Sequence, residues 1–519
     1  MTLKENIACR LGKNRGTVKI ILFVSVFLLS SQYQLFAQIR AGTGKSNITA
    51  DSVDVNDSLY VRATVLENGE LRMAIITMDV VAIGTIGNIP DDFLNNVRNK
   101  IQEKAGIKSG HILVSASHNH HDGFLTGENW LCDDIVEKTV SAVEGAILNL
   151  EPVKIGIGTS MEKRFAMNRR IRLKNGKVFT IRHANPNMPD DEITGIGEID
   201  PEIGILRIDR LDDTPKAILY NYACHPYTGV PGKGATAEYP GFASRLIEEQ
   251  LGHGAVAFFL QGAAGDITEI LYKDVNHPRD SEPFGQMLGL NVLESSLKIA
   301  TFETNSLSMF SKTISLPLRS DFEERLNNME TEREVLLESL RSTSLNLKTF
   351  LPLYMKRMVS ESYPSYYKYE YLDEEKKGGD ALKKMDESNR KDIDKYIANI
   401  NAMEKLTHIQ EDIYWLKLRE ELAGKIGGNE ITVEIQGVRI GNFILVTFPG
   451  EAFAEIGLRI KKLSPYPDTF MAAYSNGYIH YAPDKESYQQ GGYEVTNSIL
   501  APEWQEIYEK EILEIIEQL

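Results

Sequence analysis

Cysteine is scarce, with 3 in 519 residues, so a disulfide framework is excluded. Cys9 falls in the leader described below, which leaves Cys132 and Cys224; these can pair in an oxidising compartment but are too few to define a fold. Positive charge is also in short supply. Lys and Arg number 57 against 73 Asp and Glu, for a net charge of −16, which argues against a nucleic-acid partner or an anionic membrane surface. Apolar runs long enough to span a bilayer are missing. The apolar run Ile20 to Leu29 follows Lys4, Arg10, Lys13, Arg15 and Lys19 and precedes Leu35-Phe36-Ala37. That order reads as a secretory signal peptide over residues 1–37, cleaved after Ala37, and predicts a periplasmic or secreted bacterial protein. No cysteine stands at the cleavage point, which disfavours a lipoprotein, and neither internal repeats nor low-complexity tracts are found.

What is present is the composition of a soluble globular chain, 42% hydrophobic and 25% charged, long enough for one large or two ordinary domains. Strand patterns over Tyr60 to Glu67 and Leu71 to Ala82 flank Asn68-Gly69, a hairpin signal. Helical spacing follows over Pro90 to Lys104, then a strand at 112–114, a helix over Ile135 to Leu148 and a strand from Val153 to Ile157. Residues 161–200 read as a loop excursion carrying Asn168-Arg169-Arg170. Strands at Gly204 to Ile208, Ala217 to Ala223 and Ala255 to Leu260 alternate with helices at Tyr239 to Leu251 and Pro283 to Ile299. The pattern predicts an α/β fold on a mixed sheet. Residues 320–427, rich in Glu, Lys, Leu and Asn at helical spacing, read as an inserted helical hairpin or small bundle, whose tyrosines 363, 366, 367, 369 and 371 suit a substrate entrance, a packing face or a partner face equally. Strands at Ile431 to Ile435, Asn442 to Phe448 and Phe470 to Tyr474, with helices over Ala452 to Leu463 and from Glu503, return the chain to α/β character, so the parent domain is 38–319 plus 428–519.

Four of the ten histidines lie between 111 and 121. The apolar run Ile112-Leu-Val114 delivers His118 and His120 at its end, where residues two apart on an extended segment point to one side and can reach one ion. Other strand ends hold His225, Asp266 with Thr268, and Glu451. Open α/β sheets bind ligands beyond the carboxyl ends of their strands, and imidazole with carboxylate suits zinc. Taken singly, His225 reads as a structural histidine and Glu451 as a surface group; their recurrence at one topological place is the signal. The small residues Gly262 to Gly265 suit close approach of backbone to a ligand.

Val114-Ser-Ala-Ser-His-Asn-His120, Asn221-Tyr-Ala-Cys-His-Pro226, Gln261 to Thr268, Pro449-Gly-Glu451 and Ala473 to Tyr481 resemble, in order, the motifs of the neutral ceramidase family, over roughly 40–310 and 430–505. The resemblance implies a zinc-dependent amidase of ceramide-like lipids, with water activated by the ion. It implies zinc held by His118, His225, Glu451 and Tyr481, with Tyr474 and Tyr478 near enough in sequence to compete for the last place. It further implies His120 and Arg169 as substrate-polarising groups, and Thr268 where the family has a serine. The implied partner is a small-molecule or lipid substrate, with no more than peripheral membrane contact.

The match weakens at His121-Asp122-Gly123, where the family has Ser-Gly-Pro, and in the insertion, which has no family counterpart; no C-terminal immunoglobulin-like domain is expected. His118 to Asp122 also fits His-x-His-x-Asp of metallo-β-lactamase-type hydrolases, but Gly123 stands where that motif needs a further histidine. Two other readings stay open: the same scaffold acting on another amide, an ester or a glycan-derived envelope substrate, and a zinc-site binding protein without catalysis.

Overall fold

A computed structural model describes residues 38–181, 189–232, 234–270, 279–360, 363 and 368–519. The expected signal segment, residues 1–37, lies outside the described residues, as do Tyr366 and Tyr367. The chain divides into two compact units, one of residues up to Leu318 together with Asn429–Leu519, the other Arg319–Gly428.

The first unit is built on an eight-stranded mixed sheet. Its strands are β1 (Arg40–Asn47), β2 (Tyr60–Glu67), β3 (Arg72–Met78), β4 (Ile112–Ala116), β5 (Glu151–Met161), β10 (Glu202–Arg210), β11 (Pro215–Tyr222) and β12 (Val256–Gln261), in the order β12-β11-β10-β5-β1-β2-β3-β4. Four short strands lie between β5 and β10: β6 (Ala166–Asn168), β7 (Arg170–Leu173), β8 (Val178–Thr180) and β9 (Ile193–Ile196). Thus 161–200 is not the plain loop expected; β7, β8 and β9 form a small antiparallel sheet, in strands of three or four residues too short for a period to show. A second sheet runs β14-β15-β16-β18, from β14 (Leu307–Pro317), β15 (Glu430–Ile440), β16 (Phe443–Thr447) and β18 (Thr469–Ala472).

The two sheets pack face to face. Ile75, Leu113, Leu206, Leu219 and Phe258 of the large sheet meet Met309, Val438, Leu445 and Phe470 of the small one in a single buried cluster. Each such aliphatic side chain contributes roughly 1.5–3 kcal/mol on burial. Helices Phe93–Ala105 and Ile135–Leu148 cover β2, β3 and β4 on the outer face, and Glu238–Leu251 with Glu282–Ser296 cover β10, β11 and β12. Ile135–Leu148 buries Ile135, Val140, Val143 and Ala146 at helical spacing. It comes so close to β1 that a Cβ on Gly42 would stand 1.8 Å from the Ala146 carbonyl oxygen and one on Gly44 2.0 Å from that of Ala142. Covered on both sides, β4 and β16 are buried at every residue, which is why they read as continuous apolar runs.

The second unit consists of helices Phe322–Ser339, Leu347–Val359, Lys368–Lys376 and the 46-residue Ala381–Ile426. Phe322 and Leu326 pack on Ile409, Ile413 and Leu416, and Phe350 stacks on Tyr396. Asn346 and Thr349 form a reciprocal capping box at the start of Leu347–Val359. Of its tyrosines, Tyr363 is buried and Tyr369 exposed. No helix among the described residues is long and apolar enough to cross a membrane.

Candidate metal centre

Just past β4 the chain leaves the sheet through Ser117, whose N–H still donates to Met78, and His118 adopts a left-handed φ of 65°. Residues other than glycine are uncommon there, and such conformations concentrate at functional positions. The far edge of β4 is closed by the 473–481 loop: Ala116 N–H donates to Tyr474, Asn476 N–H to Val114, and the Asn476 side chain accepts from Val114 N–H at 2.9 Å. Strands β17 (Glu451–Ala452) and β19 (Tyr481–Ala482) pair in parallel, setting Glu451 opposite Tyr481. Strand β13 (Ile267–Glu269) pairs with β6, and its Ile267 carbonyl accepts from His225 N–H.

These connections bring His118, His225 and Glu451 into one buried cluster. Glu451 Oε2 lies 3.6 Å from His118 Nε2 and 3.1 Å from His225 Nε2. All three atoms are buried without a hydrogen-bond partner. Buried polar atoms in folded proteins nearly always have a partner, and tetrahedral ligands of a zinc ion stand about 3.3 Å apart. The opposite ring nitrogens are spoken for: His118 Nδ1 donates to the Val81 carbonyl at 2.8 Å and His225 Nδ1 to that of Ala264 at 2.7 Å. That fixes the tautomer which leaves both Nε2 lone pairs free. Burial, with Arg169 nearby, pushes His225 down to about 3, and burial takes His118 well below its ordinary range against the pull of Glu451. Both imidazoles are therefore neutral at pH 7 and able to ligate. The residues present fit a divalent metal ion.

His120 joins His118 and His225 in a group of imidazoles whose nitrogens lie within 4.8 Å of one another. Its Nδ1 bonds to the His118 carbonyl at 2.9 Å, the Pro226 carbonyl stands beside it, and its ring meets Tyr227 edge-on at 5.2 Å. Burial and His225 hold it well below its ordinary range. The orphaned oxygen of Glu451 favours the carboxylate over His120 as the third ligand.

The three tyrosines are told apart by their hydroxyls. Tyr478 spends its hydroxyl on Glu451 Oε1, Tyr481 receives an N–H from Arg169 at 3.1 Å, and the buried hydroxyl of Tyr474 has no partner, its ring lying 4.2 Å from that of His118. Burial raises all three phenols well above their ordinary range, with Arg169 opposing it at Tyr481. Arg169 also donates to Gly265 at 2.7 Å and to Glu494 at 2.8 Å. Thr268 is placed by strand pairing, buried opposite Met167 and one residue beyond the Ile267 that holds His225.

Two carboxylates near the histidines are engaged by backbone and amide groups. Asp266 accepts from Ala454 N–H and the Asn168 amide, completing the first turn of helix Ala454–Leu463, and Asp122 accepts from Val81 and Phe124 N–H, bracing the turn after the histidines. Small residues at Gly265 admit protein rather than ligand, since a Cβ there would stand 2.3 Å from the Glu451 carbonyl oxygen. Cys132 and Cys224 are both free, and burial raises the Cys224 thiol far out of its reactive range. Sequence reasoning missed Glu494, buried between Arg169 and Arg170 and bonded also to Thr180, which holds it ionised below the ordinary carboxylate range despite its burial. Nothing local in Gly491-Gly-Tyr-Glu494 signals that role.

No family model matches the sequence, and no curated protein matches it. Solved structures do. Neutral ceramidase from Pseudomonas aeruginosa superposes with a TM-score of 0.56 at 16% identity, over 93% of this chain and 75% of that one. A structure described as ceramidase complexed with C2 also gives 0.56 at 16% identity, over 92% and 75%. Two sheets packed between helices, with the histidine cluster at their strand ends, thus have the fold of neutral ceramidase.

Proposed function

We propose that this chain is a zinc-dependent hydrolase that cleaves an N-acyl amide bond, with ceramide-like lipids as the reference substrate class. The observation that carries the reading is the convergence of three orphaned, buried atoms, His118 Nε2, His225 Nε2 and Glu451 Oε2. His118, His225, Glu451 and Tyr481 would hold the ion. When bound, zinc supplies Lewis acidity and lowers the pKa of a water toward about 7.

The remaining roles belong to the chain. Arg169 sets its guanidinium on Tyr481, favouring the ionised phenol that a ligand must become. Tyr478 occupies the second oxygen of Glu451, leaving the first for the ion. His120, neutral at pH 7, is suited to take a proton from the attacking water and pass it to the departing amine. Once it holds that proton, it can donate to the substrate carbonyl oxygen together with Arg169. Thr268 keeps the hydroxyl of the family serine, and its extra methyl narrows the pocket.

The test is hydrolysis of a panel of N-acyl amides and matched esters by the purified protein, before and after chelation. Acyl release abolished by chelator and restored by zinc is expected, with amides preferred. Turnover unaffected by metal removal would contradict the reading, and stoichiometric zinc without turnover of any substrate would favour a binding protein.

A further inference from the structure

A cavity of about 890 Å³ opens beside the histidine cluster. His121 and Tyr227 are part of its wall, and the Tyr227 ring is the one that meets His120. Two buried carboxylates build that wall from behind. Glu238 accepts from His121 Nδ1 with one oxygen and from Gly229 N–H at 2.9 Å with the other. Glu269 accepts from the Thr228 hydroxyl and from Tyr227 N–H, at 3.2 Å, on one oxygen, while its other oxygen is buried without a partner. Burying carboxylates is costly unless they are bonded in this way, and groups so bonded hold their geometry. His121 keeps a quarter of its side chain exposed, and the missing Cβ of Gly229 leaves room for its free nitrogen, which would otherwise lie 2.7 Å away.

The lining does not resemble a slot for an alkyl chain. Asp54, His121, Glu128 and Arg279 place charged or titratable groups among the apolar Val53, Leu125, Trp130 and Val230. Trp130 anchors its indole N–H on Glu128 at 2.8 Å and so borders the cavity as a fixed, flat apolar surface among hydrogen-bonding groups. A ligand that satisfies this mixture has an apolar face and polar groups around its edge, able both to donate and to accept.

Building on the hydrolase reading, we infer that the cavity takes a polyhydroxylated amine, of the amino-sugar type, as the amine part of the scissile amide, with His121 and Trp130 as specificity-determining residues. Hydrolysis then joins water to the acyl carbon and releases a carboxylic acid and the free amino sugar, the nitrogen taking up the proton.

The test compares N-acetylglucosamine with long-chain ceramide in detergent micelles as substrates for the zinc-loaded full chain. The inference expects kcat/KM for the amino sugar at least tenfold above that for ceramide. Trp130→Ala and His121→Asn are expected to raise KM for the sugar tenfold or more with a smaller change in kcat, and Trp130→Phe, which preserves packing, to give an intermediate value. Preference for ceramide, or an unchanged KM in Trp130→Ala, would overturn it. Fluorescence titration with N-acetylglucosamine separates the two claims. Saturable quenching weakened in His121→Asn, without turnover of any substrate, would uphold the cavity assignment and sink the hydrolase reading; no saturable binding would sink the cavity assignment alone, and chelator-sensitive turnover of another N-acyl amide would then leave the hydrolase reading standing.

Discussion

Tyr481 shares the site with two other buried tyrosines, and its assignment as ligand rests on the resemblance, since the hydroxyl without a partner is that of Tyr474. Tyr478 braces Glu451, so Tyr478→Phe should weaken zinc binding about 10–100-fold, as the loss of an outer partner does. Tyr481→Phe should cost more than that, and Tyr474→Phe should cost little; competition titration with a chromogenic chelator reads all three, and a larger loss in Tyr474→Phe would reassign the ligand. Asp266 offers a pH test away from the ion. Burial raises its pKa to about 6, against the hydrogen bonds from Ala454 and Asn168. The folded chain therefore holds a proton between about pH 4 and 6 that the unfolded chain releases. The group's contribution to stability is greatest below its unfolded pKa and declines as pH rises through 6. Denaturation of wild type and Asp266→Asn at pH 4 and pH 7 should show the difference moving in favour of the variant by roughly 2 kcal/mol; a pH-independent difference would refute this.

At the scale of elements, the site depends on how closely strand ends approach. Gly265→Ala would drive a Cβ into the backbone of Glu451. Overpacking of this kind typically costs about 1–3 kcal/mol, and here it should also weaken metal binding; calorimetric unfolding and zinc titration check the two effects together. What the sequence could and could not disclose follows from the same packing. The strand before His118 was legible because both its faces are covered, so every residue is buried and only Ser115 is polar. By contrast, β1 is a central strand written as Arg-Ala-Gly-Thr-Gly-Lys-Ser-Asn, poor in branched residues, because the helix over it needs the space that Gly42 and Gly44 leave. The histidines could be found because chemical residue types recur at strand ends. Glu494 could not, because its meaning comes from two arginines 325 and 324 positions away. Nor does the sequence show that Asp122, a carboxylate beside histidines, is spent on backbone N–H groups.

For the whole molecule, the helical unit enters at the tip of a hairpin. Strands β14 and β15 pair through to Pro317 and Glu430, and Leu318 N–H donates to Asn429 at 2.8 Å, so the chain leaves and returns at one place. Replacing Arg319–Gly428 with a short glycine-containing turn should leave a folded first unit with its metal affinity intact, checked by circular dichroism and zinc titration. The central claim is that His118, His225 and Glu451 are arranged for a metal ion. Elemental analysis by mass spectrometry of the purified full chain, beside His225→Ala, tests it most directly. The account predicts about one zinc ion per folded wild-type chain and almost none in a folded His225→Ala variant; a folded wild type that binds no zinc, or a variant that retains it in full, would contradict it.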